Sequence, residues 1–254
     1  MIINASIELM QQLPALLEIP EIRGIYLSLE TCGSKEAAAC RGAGKKVYFA
    51  LPYIGTPEKS RLKACEGSCD GFLVRTLDQL ALLKSLEYEG EIVADQGLYA
   101  WNTQAIAQLR DFGAKVFTAP FELTRQELYA VFSQEILPVE AVIYGYYPVM
   151  ISNQCLRLTT GGCAKKEAPY SIFYMTDRTG EKFRAVNHCE GCYNVIYNTV
   201  PTVLFDMEPR PERVRLMFTV EDGKPAGRLA RAFISGDSRP LEKYTRGHYR
   251  RETL

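Results

Sequence analysis

Short apolar runs recur along the first 145 residues at near-constant spacing. They begin near Ile2, Ile25, Val47, Gly71, Glu91, Lys115 and Ala141, at steps of 23, 22, 24, 20, 24 and 26 residues. Most are apolar throughout, as parallel strands covered on both faces are. Helical patterns fill most of the gaps. Ser6 reads as the cap of a helix through Ile7, Leu9, Met10 and Leu13 that Pro14 interrupts. Thr76 caps a helix with Leu77, Leu80, Leu83 and Leu86 on one face, and Thr103 precedes Ala105, Ile106 and Leu109. Thr124 and Glu127 form a capping box. Strand and helix alternating at this period predict a parallel α/β domain. The regular period and the lack of a Gly-rich phosphate fingerprint predict a (β/α) TIM-like barrel over a doubly wound sheet. Only seven strands are visible, so the barrel is expected to be seven-stranded or to have an irregular eighth strand.

After Gly145 the rhythm stops. Ile172–Met175, a turn, then Lys182–Arg184 read as a β-hairpin, and residues 213–220 alternate polar and apolar as a half-buried strand does. Three regions follow: a barrel over 1–150, a cysteine-rich segment over 151–200 and a small β-containing tail over 201–254. Composition adds little: 47% apolar and 24% charged residues are ordinary for a globular chain. Charge adds more. The chain is neutral, which excludes a uniformly basic nucleic-acid binder, but residues 1–209 carry a net −5 and residues 210–254 a net +5. That basic segment fits an anionic partner, or equally the acidic body of its own chain. Met1–Ala5 shows no signal-peptide pattern, and no apolar run is long enough to span a bilayer, so a cytoplasmic location with no membrane contact is expected.

The eight cysteines are then expected to be thiols or metal ligands. Cys155-x7-Cys163 followed by Cys189-x2-Cys192 carries the strongest chemical signal. Two residues between cysteines put both sulfurs on one side of a tight turn, and four thiolates suit zinc or an iron–sulfur cluster. The plain alternative is four unrelated thiols. Cys32, Cys40, Cys65 and Cys69 lack a compact turn motif and read as structural. His188, beside Cys189, reads as a proton donor or a hydrogen-bond donor to a cluster sulfur, or as a surface loop residue. Glu30, Arg75, Asp95 and Glu122 lie at or just past strand ends, where barrel enzymes place acid–base and anion-binding groups. Rim salt bridges are the competing account for each. No nucleophile elbow, zinc-protease motif or P-loop is present. With two histidines, both outside the repeats, a triad within the barrel has no ready base.

Residues 145–201 (GYYPVMISNQC, GGC, DRTGEKF and NHCEGCYNVIYNTVP), with GFLVRTL at 71–77, Asp95 to Asn102, PFEL at 120–123 and YTRGHYRR at 244–251, resemble peptidase family U-32, the collagenase-like peptidases. The likeness is closest to long members carrying an inserted domain, so the chain resembles their C-terminal barrel and tail. A missing N-terminal part or a partner chain is then expected to complete it. The resemblance implies a barrel with a 4Fe-4S cluster on Cys155, Cys163, Cys189 and Cys192. It implies either proteolysis, as the family name records, or oxygen-independent hydroxylation, since relatives hydroxylate transfer RNA, ribosomal RNA or a quinone ring. The lack of a triad favours hydroxylation of an RNA base, with a small-molecule oxygen donor. Peptidase activity and a zinc-stabilised accessory domain are the alternatives. On the RNA reading, Arg246, Arg250 and Arg251 are expected to meet phosphates, and Tyr244 or Tyr249 to stack on an unpaired base.

Overall fold

The computed structural model of the chain describes residues 1–163, 170–237 and 241–250. All seven expected strands form: β1 (Ile2–Ile7), β2 (Ile22–Ser28), β3 (Lys46–Ala50), β4 (Gly71–Val74), β5 (Glu91–Ala94), β6 (Val116–Thr118) and β7 (Val139–Gly145). They pair in parallel, each with the next. The barrel closes through an eighth strand from far downstream, the last among the described residues. Arg213–Phe218 pairs in parallel with β7 on one side and β1 on the other, Ile2 facing Arg213 and Ile7 facing Phe218. The barrel is therefore eight-stranded, and the 213–220 strand assigned to the tail belongs to it. Its alternation was read correctly, but its polar face turns into the barrel rather than to solvent.

Between β7 and that closing strand lies an inserted antiparallel sheet. Its strands are β8 (Pro148–Ser152), β9 (Tyr170–Thr176), β10 (Lys182–His188) and β11 (Tyr193–Tyr197), in spatial order β8-β11-β10-β9. The hairpin foreseen at 172–184 is β9–β10. A two-residue strand, β12 (Thr202–Val203), returns along β7, and the closing strand is β13.

The helices are α1 (Leu13–Leu17), α2 (Ser34–Gly42), α3 (Lys59–Glu66), α4 (Leu77–Ser85), α5 (Thr103–Asp111), α6 (Arg125–Phe132), α7 (Leu156–Gly161) and α8 (Gly223–Ile234). Thr76 caps α4 and Thr124 caps α6 with its Glu127 box, as expected. Asn102 caps α5, which begins at Thr103. One cap differs. Ser6 starts no helix, because Ile2–Ile7 continues as strand, and Pro14 lies in the first turn of α1, where its missing N–H costs nothing.

Two cores result. Outward-facing strand residues such as Ile25, Phe49, Phe72 and Phe117 pack under the helices. Inside the barrel Tyr26, Tyr48, Ala50, Leu73, Val93 and Val116 form a smaller cluster. The Tyr48 ring lies between Gly24 and Gly71, where an added Cβ would come within 3.2 and 2.9 Å of it. The glycines therefore make room for the lumen tyrosine. Among the described residues no helix packs on the outside of the barrel directly after β7, which leads into β8. The place of such a helix is taken by 202–209 and the tail, where Arg246 and Tyr249 line a crevice with Leu128, Val142, Leu204 and Met207.

Candidate functional site

Inward alternation on the strands loads the upper lumen with charge. Arg215, on β13 and 1% exposed, reaches Asp95 Oδ1 at 2.6 Å and Glu140 Oε2 at 3.3 Å. The second contact is an ion pair without hydrogen-bond geometry. Glu140 Oε1 instead accepts from Asn4 Nδ2 at 2.9 Å and Tyr26 OH at 3.0 Å. Asp95 Oδ2 meets Arg75 Nε at 3.2 Å, and Arg75 reaches Glu8 at 3.5 Å while lying 3.7 Å over the Tyr53 ring. Burial alone would raise the Asp95 pKa, but Arg215 and Arg75 together hold it below the ordinary carboxylate value.

Glu8, Glu30, Tyr53, Arg75 and Asp95 each follow a strand's C-terminal end, so they gather at one mouth of the barrel. Glu122, further along its loop, lines a cavity with Arg75 at that mouth. The inserted sheet sits over the opening: Val186, Tyr193, Val195 and Tyr197 pack with Tyr53. Through this contact His188 joins the group. Its Nδ1 lies 2.8 Å from Glu30 Oε2, which also accepts from Tyr193 OH at 2.5 Å. The imidazole stacks on the Tyr193 ring, centroids 4.5 Å apart. Burial raises the Glu30 pKa, but the bonds from His188 and Tyr193 outweigh it and leave it lowered. With Glu30 as acceptor, Nδ1 of His188 carries a proton. Nε2 is buried without a partner, as are the hydroxyls of Tyr170 and Tyr197 and Glu8 Oε2.

The four candidate ligand cysteines lie around α7 and in the β10–β11 turn of the same insertion. Strand alternation sends His188 toward the barrel and its neighbour Asn187 to the other face, where Asn187 Nδ2 lies 2.7 Å from Cys189 Sγ and Oδ1 lies 3.4 Å from Cys155 Sγ. Cys155 caps α7 and accepts from the Leu158 N–H at 3.4 Å. Cys192 turns at φ +54°, while Cys163 and Cys192 are exposed. Burial raises the Cys189 pKa, the Asn187 bond lowers it, and Cys155, Cys163 and Cys192 raise it again through space. Four thiols with amide donors aimed at two of the sulfurs suit the chemistry of an iron–sulfur centre. Among the described residues no group of three His, Cys, Asp or Glu side chains is arranged to hold a metal ion.

The other cysteines are buried or half-buried, and burial pushes Cys32 up to about 12 and Cys40 and Cys69 up to about 11, which makes them poor nucleophiles. The tail is placed differently from its RNA-facing expectation. Tyr249 is 5% exposed, and its hydroxyl bonds the Glu208 backbone at 2.9 Å, so it has no face free for a base. Arg246 pairs with Asp206, which Arg250 approaches at 3.9 Å. Tyr244 packs half-buried against the outer core. Arg251 lies outside the described residues.

Sequence reasoning missed Glu8, Tyr53, Glu140, Arg215 and the cap tyrosines 170, 193 and 197. Two signals were available. Glu8 stands just past β1 as Glu30 stands past β2, and Arg213 and Arg215 share the polar face of the 213–220 alternation.

Two cavities flank the mouth. One, of about 550 Å³, lies between Glu30 and the cysteine turn, where Arg61 contacts Glu190. The other, of about 330 Å³, lies between Arg75, Glu122 and β8. No helix among the described residues is long and apolar enough to cross a membrane.

No family profile and no curated protein matches the chain. Among solved structures, a U32 peptidase, Mk0906, is similar over 57% of this chain and 70% of its own, with a TM-score of 0.46 and 10% identity.

Proposed function

We propose that the chain is, or is the core of, an iron–sulfur enzyme that hydroxylates an RNA base without dioxygen, with its chemistry at the capped barrel mouth. The observation that carries this reading is the link from mouth to cysteines. Glu30 of the barrel holds His188 of the cap, and the preceding residue, Asn187, contacts both Cys189 and Cys155 on the other face of the strand. These four thiolates would hold the cluster, which supplies single-electron transfer.

The chain's own residues do the rest. Glu30 fixes the His188 ring through Nδ1, which leaves Nε2 as its buried, unpartnered nitrogen. Arg75, held by Asp95 and Glu8, sets a cation at the floor. The cap tyrosines exclude water. The larger cavity gives a small-molecule oxygen donor a place beside both Glu30 and the cysteine turn. Atoms balance when a base C–H becomes C–OH, a two-electron oxidation, and the donor loses one oxygen atom and gains the same two electrons.

Peptide hydrolysis stands beside it as the alternative. Nε2 of His188 has no serine or cysteine on it, and Cys32 is a poor nucleophile. The test is anaerobic purification with iron and sulfide analysis, followed by mass spectrometry of RNA from cells with and without the gene. Iron with sulfide, and a nucleoside one oxygen heavier only when the gene is present, are the expected results. A colourless zinc protein, or peptide cleavage with unaltered RNA, would reject the proposal.

A further inference from the structure

We infer that the cavity between Arg75 and β8 is the pocket that receives a single unpaired nucleobase, with Tyr99 as its stacking platform. The inference rests on the RNA reading above and deepens it. Arg75, Gln96, Tyr99, Phe121, Glu122 and Met150 are among the residues that line it.

Tyr99 is the unusual one. It is a non-glycine residue in the left-handed region, φ 49° and ψ 48°, and 55% exposed. That conformation disfavours a bulky side chain and persists only where its surroundings impose it. Here they do. The short turn Gln96–Leu98 begins at Asp95, whose Oδ1 accepts from the Gln96 N–H at 3.0 Å while both arginines clamp its carboxylate. The buried ion network thus fixes the direction in which Tyr99 leaves the barrel.

The facing wall is apolar and uncovered: Val149, Met150 and Ile151 on β8 are 53%, 57% and 42% exposed. Phe121 is immobilised by stacking on Tyr147, with centroids 3.6 Å apart. The floor is polar in both senses. Arg75 donates, Gln96 offers both functions, and Glu122 Oε2 is shut off from solvent with no partner. Two flat walls over a floor of donors and acceptors match a planar ring with a hydrogen-bonding edge. An aliphatic or phenyl side chain of a peptide would leave Glu122 Oε2 without a partner, which the donor edge of a base supplies. The volume, about 330 Å³, is at the small end for ligand sites and fits one base with its sugar. An enzyme acting on a base must take it out of the stack, so a one-base cavity at the mouth is the expected form.

The test uses the full chain and three fluorescently labelled probes. One is a single-stranded RNA oligonucleotide, one is the same strand with a central abasic site, and one is a peptide with a central tyrosine. The intact strand should bind about 10-fold or more tightly than the abasic strand, the scale of one base–aromatic stack. Tyr99→Ala should abolish that preference and Tyr99→Trp should keep it. Tyr129→Ala, at another exposed tyrosine, should change nothing. Equal binding of both strands, no binding of either, an unaltered preference in Tyr99→Ala, or competition by the peptide alone would overturn the inference. Iron content and oxygen gain in RNA are read separately. Failure of those with a Tyr99-dependent base preference rejects the hydroxylase reading and leaves the pocket. Hydroxylation without that preference rejects the pocket and leaves the hydroxylase.

Discussion

Replacing Asp95 by Asn removes one charge from the buried chain Glu8–Arg75–Asp95–Arg215–Glu140 while keeping its shape. Both arginines bond Asp95, at 3.2 and 2.6 Å, and its side chain is only 4% exposed. Arg215 then keeps Glu140 and Arg75 keeps Glu8, so each arginine is half-compensated. Breaking a buried pair typically costs about 3–5 kcal/mol, because the remaining charge has already left water. For a domain of this size that is a fall in Tm of roughly 6–20 °C. The pH dependence gives a second readout. The folded pKa of Asp95 is lowered, so its contribution is fully present above the unfolded value and is lost as pH falls through the folded one. The gap between native and Asp95→Asn protein should therefore narrow as pH drops below about 4. Denaturant unfolding of native protein, Asp95→Asn, Arg215→Met and the double variant closes a cycle. The double variant should lose clearly less than the two single losses together. A coupling below about 1 kcal/mol, as at a solvated surface pair, would refute the buried-network argument.

Ala at Cys155, Cys163, Cys189 or Cys192 should each lower iron content and visible absorption, whereas Ala at Cys65 or Cys69 should not; equal iron in all six variants ends the cluster proposal. Glu30→Gln replaces a carboxylate that accepts from both His188 and Tyr193. Proteolysis within the cap should quicken in this variant, and an unchanged cleavage rate would show that the cap is held by packing alone. Tyr249→Phe should cost about 0.5–1.5 kcal/mol in denaturant unfolding, since its hydroxyl is bonded to the Glu208 backbone. Arg246→Ala should lower Tm through loss of Asp206 and leave the salt slope of RNA binding unaltered; a slope smaller by about 0.7 would return Arg246 to the RNA face.

The repeat from Ile2 to Ala141 was legible because each outward strand face must be apolar to carry a helix, and that need recurs once per βα unit. The eighth strand was legible as a strand but not as part of the barrel. Alternation reports two unlike faces, and it does not say whether the polar one meets water or other buried charges. Arg215 is the case in point: an arginine in an alternating strand reads as solvated, and only closure of the barrel brings Asp95 and Glu140 to it. The same limit applied to the tail. A run holding Tyr249, Arg246 and Arg250 has the composition of a phosphate-binding segment, yet the missing helix after β7 leaves a crevice on the outer core that Tyr249 and Arg246 help to line. Sequence shows charge and aromaticity; the partner that uses them depends on which surface the fold leaves uncovered.

That missing helix also bears on the candidate site. In the other units a short loop and a helix carry the chain back down the barrel at once. After β7 the chain first builds β8 to β11, and only then returns by β12 to reach β13. A crossover that starts at the C-terminal end of β7 must place its insertion on the mouth side. The cysteines are therefore delivered beside Glu30 by topology, whatever they bind. The sheet's alternation then divides the work, with His188 facing the barrel and Asn187 facing the sulfurs. A one-residue register slip in β10 would exchange those two faces and separate the thiols from their amide while turning the imidazole away from Glu30. The contacts of Asn187 with Cys189 and Cys155, and of His188 with Glu30, thus stand or fall together. Asn187→Leu should accordingly disturb the Glu30–His188 contact only if it shifts the strand. If the His188 ring resonances in NMR stay in place while sulfur reactivity rises, the two faces are independent devices on one strand. If both move together, the register itself is what couples the cysteines to the barrel.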